Sequence, residues 1–82
     1  MVDQKVGVVI HYYDKLGVAI VDLSSDLSLG DKIKIAGDDQ ELIQEVSSMQ
    51  IEHKPVNNAK KGDSIGLKVD QVVKEKAEVF KL

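Results

Sequence analysis

Apolar and polar residues alternate in short runs along most of this chain, which is the period expected of strands with one buried face. The first run, KVGVVIHYY at 5–13, is rich in β-branched and aromatic residues and predicts a strand. The segment DKLG at 14–17 predicts a turn, and VAIVDL at 18–23 predicts the returning strand of a hairpin. Strict alternation along the first strand places Val6, Val8, Ile10 and Tyr12 on one face and Gly7, Val9, His11 and Tyr13 on the other.

The middle of the chain continues the same pattern with one irregularity. After a loop at 24–31, the run KIKIAG at 32–37 alternates strictly, with its two isoleucines expected to point inward and its lysines outward. A turn is expected at 37–40. In ELIQEVSSMQIEH at 41–53 the alternation slips near Ser47 and Ser48. A helix would also accept the first apolar residues, but we favour a strand with a bulge, because a bulge shifts the phase by one residue.

The last third predicts a loop, two strands and a connection. The loop covers 54–63, contains the only proline and has room for one helical turn. The run SIGLKV at 64–69 predicts a strand with Ile65, Leu67 and Val69 on one face. A polar connection follows at 70–77, and EVFKL at 78–82 predicts the final strand.

About six short strands without a convincing long helix indicate a single all-β domain over 1–82, built as a barrel or a sandwich. Closure into a barrel would remove the unpaired edges that a small open sheet exposes. One internal echo is visible, since Gly30-Asp31 and Gly62-Asp63 each stand just before a predicted strand. Glycine accepts a positive φ at such a corner, and aspartate can cap the turn with its side chain.

Composition and charge exclude several classes of site. The chain has no cysteine, so a disulfide framework and a thiolate metal site are excluded, and a reducing, cytoplasmic location is expected. No leader segment and no apolar run long enough to span a bilayer is evident. The net charge is −3, and all 11 basic residues are lysines. Without arginine, tight nonspecific binding of nucleic acid is disfavoured, although a local lysine patch could still contact RNA.

The sequence Gly62-Asp63-Ser64 raises the possibility of a serine nucleophile, and we favour a plain turn instead. A serine hydrolase requires a base and an oxyanion hole, and His11 and His53 are the candidate bases in the chain. The same Gly-Asp pair recurs at 30–31 with no serine after it. A phosphate-binding loop is rejected, because here the lysines precede the glycine and a strand follows it.

Neither a metal nor a cofactor is expected, and we predict that the chain is not an enzyme. The two histidines lie 42 residues apart, and no short-spaced pair of ligands occurs. We expect partner contacts instead from the segment HYYDK at 11–15, since Tyr12 and Tyr13 should point to opposite faces and leave at least one ring partly exposed. Lys15, or Lys60 with Lys61, would add positive charge, against the simpler alternative of solvated loops.

The order of these features resembles the second domain of translation elongation factor Tu. The matching elements are KVGVVIHYYDKLGVAIVDL, then LSLGDKIKIAG, then QEVSSMQIEHKPVNNAKKGDSIGLKV and finally AEVFKL, which together span nearly the whole chain. The resemblance implies a closed six-stranded Greek-key β-barrel of the translation-protein type. A similar small barrel stands at the C-terminus of collagenase-like peptidases, and it also occurs as a stand-alone protein.

The resemblance also implies a site and partners. Asp63 and Ser64 match the positions that receive the terminal adenosine of aminoacyl-tRNA, although that family usually has asparagine at the position of Ser64. The chain would then bind tRNA, ribosome-associated RNA or a translation protein, with no nucleotide hydrolysis and no membrane. The competing interpretation is a protein-interaction or accessory barrel, similar to that of the collagenase-like peptidases or of RNA-modifying enzymes, that docks on a larger protein.

Local charge should separate these two interpretations. Convergence of Lys15, Lys54 and the lysine pair at 60–61 on one face, beside a tyrosine, would favour RNA. An apolar face poor in lysine would favour a protein partner.

Overall fold

A computed structural model describes residues 4–37, 41–52 and 54–82, and the strands of this part form an all-β fold with no helix. The all-β prediction is therefore confirmed. The strands are β1 (Gln4–Tyr13), β2 (Val18–Leu23), β3 (Leu27–Ser28), β4 (Lys32–Ala36), β5 (Glu41–Glu45), β6 (Met49–Ile51), β7 (Lys54–Val56), β8 (Asn58–Ala59), β9 (Ser64–Lys68) and β10 (Glu78–Lys81).

Eight of these strands form one antiparallel sheet in the order β5-β4-β10-β1-β2-β9-β6-β7, and β3 pairs with β8 in a second, two-stranded sheet. The sheet is curled, because only residues 46–48 connect β5 at one end of this order to β6 near the other. The buried Gln44 strengthens this connection by donating to the carbonyl of Lys68 at 2.9 Å and accepting from the amide of Asp70 at 3.0 Å. Closure of the sheet into a six-stranded Greek-key barrel stays a prediction.

The core lies on the concave side of the curled sheet and contains the inward positions that alternation predicts on β4 and β9, including Ile33, Ile35, Ile65 and Leu67. The residues of this core are Val6, Val9, Ala19, Val21, Leu23, Leu27, Ile33, Ile35, Leu42, Val46, Met49, Ala59, Ile65, Leu67, Val69, Val73, Ala77 and Val79. The segment at 70–77 was expected to be a polar connection, but it supplies two of these buried side chains, Val73 and Ala77.

Strand β1 departs from strict alternation. Its register slips between Lys5 and Gly7 against β10, and again between Val9 and His11 against β2. Each slip is a bulge that turns the following residues over. As a result Val6 and Val9 are both buried, whereas strict alternation puts them on opposite faces, and Tyr12 packs partly against the core.

Two segments differ from the predicted elements. The expected single strand with a bulge at 41–53 is wrong, because the chain leaves the β4–β5 pair after Glu45 and joins β9 and β7 as β6. The slip of phase at the two serines therefore marks a crossover between sheet ends. The loop expected at 54–63 contains β7 and β8, and no helical turn occurs among its described residues. The turn expected at 37–40 lies mostly outside the described residues.

The two Gly-Asp pairs, Gly30-Asp31 and Gly62-Asp63, form the same local structure. Gly30 and Gly62 have φ of 88° and 94°, so both take the left-handed conformation that favours glycine. The carboxylates of Asp31 and Asp63 each accept a 2.9 Å bond from the backbone amide three residues earlier. The amides of Gly30 and Gly62 donate to the carbonyls of Val46 and Leu23, and the following aspartate carbonyls accept in return. Both pairs are therefore corners that lead into β4 and β9.

Across the described ranges, the molecule has no helix with the length and apolar character that a membrane crossing requires.

Candidate functional site

A groove of about 540 Å³ runs over the outer face of the sheet, where β2, β9 and β6 lie side by side. Tyr13 and Leu16, from the end of β1 and the following turn, form one side, and both are large, exposed residues at 46% and 68%. Further apolar lining comes from Val18 and Ile20 on β2. This clustering makes the groove the main exposed apolar feature of the described surface, because the other exposed apolar residues are spread over separate elements.

Gly66 forms the floor of the groove. It pairs with Ile20 on one side and Gln50 on the other, so the middle strand lacks a side chain between two strands that carry one. A Cβ at this position would lie 3.4 Å from Cγ1 of Val18 and 3.8 Å from Cδ1 of Ile20, which is ordinary van der Waals contact. The depression thus exists because of the missing side chain, and a Cβ would enter it without a clash.

The two ends of the groove carry opposite charge. Glu52 and Ser64 line the main cavity at one end, and an adjoining depression that shares Gly66 is lined at the other end by Ser48 and Lys68. Because each residue of a strand advances about 3.3 Å, Ser64 and Lys68 on β9 stand about 13 Å apart. None of the described residues that line the main cavity is a lysine.

Ser64 lies in a position that does not favour nucleophilic catalysis. Its hydroxyl donates to the carboxylate of Asp22 at 2.5 Å, across the β2–β9 pair. His11 stands on β1, two strands from Ser64 and two residues farther along the sheet, so the two residues are about 12 Å apart, and its Nδ1 is 3.0 Å from the carboxylate of Glu75. The other candidate base, His53, lies outside the described residues. Within the described ranges, no three potential ligands come together as a metal site.

The lysines predicted to contact a partner do not converge. Lys15 lies in the turn before β2, whereas Lys60 and Lys61 lie at the corner that pairs with Leu23 at the far end of that strand. The six residues of β2 separate the two locations by about 17 Å. By the test of local charge, an apolar groove without converging lysines favours a protein partner.

The remaining predicted contact residues divide between groove and framework. Tyr13 and Ser64 line the groove, as an exposed contact role requires. Tyr12 is half-buried against the core, and the carboxylate of Asp63 is engaged with the amide of Lys60 in the corner. Whether any of these residues contacts a partner stays a prediction.

Several groove residues were missed in the sequence. Leu16 was interpreted as part of a turn and Gly66 as one residue of a strand. An isolated glycine within a strand pattern is itself a signal of close approach or of missing side-chain volume. Gln50 and Glu52 could not be placed, because they were expected to continue the strand that begins at Glu41, whereas they belong to a separate segment that flanks β9.

The known proteins that this chain resembles are named as a protease and as domains of a peptidase. No family model matches the chain. A protein of Methanocaldococcus jannaschii that is named an uncharacterized protease is 42% identical over 79 residues. Those residues are 95% of this chain and 19% of that protein, so the chain spans about a fifth of its relative's length.

Two crystal structures share the fold, and both are of the C-terminal domain of a Geobacillus thermoleovorans protein assigned as a U32 peptidase. One has a TM-score of 0.89 at 18% identity and covers 96% of this chain and 92% of that domain. The other, a selenomethionine variant, has a TM-score of 0.90 at 18% identity and covers 95% and 99%.

These findings correct the resemblance to elongation factor Tu. The structural neighbours belong to a peptidase domain and the curated relative is named a protease, so the translation-factor assignment is wrong, and with it the assignment as an RNA-binding translation protein. The error has a physical cause. A glycine with positive φ, a capping aspartate and an alternating strand solve the same corner problem in any small curled sheet, so this pattern does not identify a family. The alternative, an accessory domain like that of collagenase-like peptidases, is better supported.

Proposed function

We propose that this chain is a non-enzymatic accessory domain of a protease-type protein, and that its groove docks on the remaining part of such a protein. The observation that carries the proposal is the apolar groove over Gly66, which is open, lysine-free in its main cavity and lined by the exposed Tyr13 and Leu16. The relationship to the archaeal protease supports the choice of partner, since four-fifths of that relative lies outside the matching segment.

The chemistry of the described residues supports a binding role rather than a catalytic one. The Ser64 hydroxyl is directed to a carboxylate instead of an imidazole, and the Asp63 carboxylate is used within its corner. The groove instead offers apolar contact area with a few polar groups at its ends, which is the composition of a protein interface. Docking would remove the exposed apolar side chains from water, with a favourable hydrophobic contribution.

We also infer that six strands of the curled sheet close into a Greek-key barrel. The short connection at 46–48 and the two hydrogen bonds of Gln44 support closure, because they hold β5 near the end of β9. Contacts between protons of β5 and β6 in an NMR spectrum would test this inference, and their absence would contradict it.

A matched pair of substitutions tests the docking proposal. The domain is titrated by calorimetry against a protease like the archaeal relative from which the matching segment has been removed. Leu16→Ser removes an exposed aliphatic side chain from the groove, and Ile43→Ser removes another, 56% exposed, from β5 outside it.

We expect Leu16→Ser to weaken binding about tenfold or more, because one buried leucine contributes about 1.5–3 kcal/mol. Ile43→Ser should bind as the unchanged domain does. Equal loss for both variants, or no binding by the unchanged domain, would contradict the proposal.

A further inference from the structure

The two charged ends of the groove define which kind of segment it accepts. Glu52 follows β6 and lines the main cavity near Ser64, whereas Lys68 ends β9 and lines the adjoining depression. The floor between them is Gly66, with Val18 and Ile20 on the β2 side and Gln50 on the β6 side. An occupant therefore meets a negative group, an apolar space and a positive group in that order.

The backbone conformation of Glu52 follows from its place in the chain. Its φ is 52°, in the left-handed region where most side chains are disfavoured and where glycine or asparagine would be at less cost. Glu52 opens the two-residue connection between Ile51 of β6 and Lys54 of β7, and tight hairpin connections of this length call for positive φ. Here the conformation is combined with a carboxylate at the rim of the groove.

The width of the groove favours an extended occupant. Its walls stand on β2 and β6, which are separated by β9 alone and so by about 10 Å, before the wall side chains are counted. A helix with its side chains is about 10–12 Å across, so it would not enter between them. An extended segment advances about 3.3 Å per residue. It therefore spans the distance of about 13 Å between the Ser64 end and the Lys68 end of the groove in about four residues.

On this basis we propose that the groove binds an extended protein segment with an apolar residue at its centre, a basic residue toward Glu52 and an acidic residue toward Lys68. The proposal rests on the proposed docking function and names the chemistry of the docked segment. Glu52 and Lys68 are the residues that determine specificity, and the apolar centre over Gly66 supplies contact area. The main-chain direction of the segment is not part of the proposal.

Three synthetic peptides with blocked ends serve as probes. They are Lys-Ser-Leu-Ser-Glu, with opposite end charges, and the two like-charged controls Lys-Ser-Leu-Ser-Lys and Glu-Ser-Leu-Ser-Glu. Each is titrated into the isotopically labelled domain up to millimolar concentration, and the amide signals of Gln50, Glu52, Gly66 and Lys68 are followed by NMR.

The mixed peptide should shift these signals with a dissociation constant about two- to fivefold lower than either control, the range expected of an exposed ion pair. The preference should disappear in about 1 M sodium chloride, where the screening length is about 3 Å.

Reversing the charge of Glu52 or Lys68 tests whether these two residues determine which peptide binds best. Glu52→Lys should change the preference to the peptide with two glutamates, and Lys68→Glu to the peptide with two lysines. The double variant should again prefer the mixed peptide. Glu45→Lys, on β5 and outside the groove, makes the same change in net charge as Glu52→Lys and should leave the preference unaltered.

Binding at the groove with no charge preference would overturn this inference while leaving docking by the groove intact. Absence of any shift at the groove signals would also overturn it, as would shifts that depend on domain concentration without peptide, since these would show a second copy as the occupant. The calorimetric titration above decides the docking function separately, so failure of the two proposals can be told apart.

Discussion

Gly62 and Gly66 stand four residues apart, and the corner and the groove floor use glycine for different physical reasons. At the corner, Gly62 has φ of 94° and nothing within 4 Å of a hypothetical Cβ, so conformation requires glycine and space does not. At the groove floor, Gly66 has no positive φ, and a Cβ would meet ordinary contacts. The difference teaches that one glycine maintains the fold, whereas the other leaves the groove open.

The largest loss of stability is expected at a third glycine, Gly7, where the space for a side chain inside the sheet is limiting. A Cβ on Gly7 would lie 2.7 Å from the carbonyl oxygen of Asp22 and 2.8 Å from Cγ1 of Val21, distances that require backbone movement. We expect Gly7→Ala to lower the free energy of unfolding by about 1–3 kcal/mol. Chemical denaturation measures this value, and a variant as stable as the parent would show that β1 can shift freely at its bulge.

Gly62→Val should have the next largest effect, because a β-branched residue must then adopt a left-handed conformation. We expect a loss of about 1–2 kcal/mol in the free energy of unfolding. Each kcal/mol corresponds to a fall of about 4–8 °C in the melting temperature of a domain this size. Gly30→Val, at the equivalent corner, is the matched control and should behave alike. An unchanged melting temperature in either variant would contradict the assignment of these corners.

Asp63→Ala tests the side chain of the same corner. Loss of the bond to the amide of Lys60 should lower the free energy of unfolding by about 0.5–1.5 kcal/mol. Asp31→Ala should lower it at least as much, since Asp31 also lies 3.5 Å from the ammonium of Lys81. Docking on the protease partner should be unaffected by Asp63→Ala in the folded domain. A specific loss of docking would instead place Asp63 within the interface.

Local patterns predicted much of the fold, and particular residues show where they stop. Alternation located Ile33, Ile35, Ile65 and Leu67 in the core, and the Gly-Asp pairs were correctly interpreted as corners. The bulges of β1 were not predictable, because they depend on how β2 and β10 register against it. The crossover near Ser48 looked like a bulge for a related reason, since both shift the phase and only the pairing partner distinguishes them.

The candidate site was less accessible to sequence reasoning. At least one of Tyr12 and Tyr13 was expected to be partly exposed, and Tyr13 is exposed and lines the groove. The groove itself, however, arises from three strands whose order in the sheet is not their order in the chain. Leu16 and Glu52 come from separate turns and line the same groove only because β2 and β6 flank β9. The lysine pair at 60–61 was predicted as a contact on its charge alone, but it lies at the opposite end of β2 from Lys15.

The groove floor offers the most direct test of the central claim. Gly66→Val should change the free energy of unfolding by less than about 0.5 kcal/mol, as is usual for substitutions on the surface. The same variant, titrated against the truncated protease partner, should lose binding because the valine side chain occupies the groove. A variant that melts with the parent and no longer docks is the predicted result. A folded Gly66→Val domain that docks with unchanged affinity would contradict the account, because the partner would then not enter the groove.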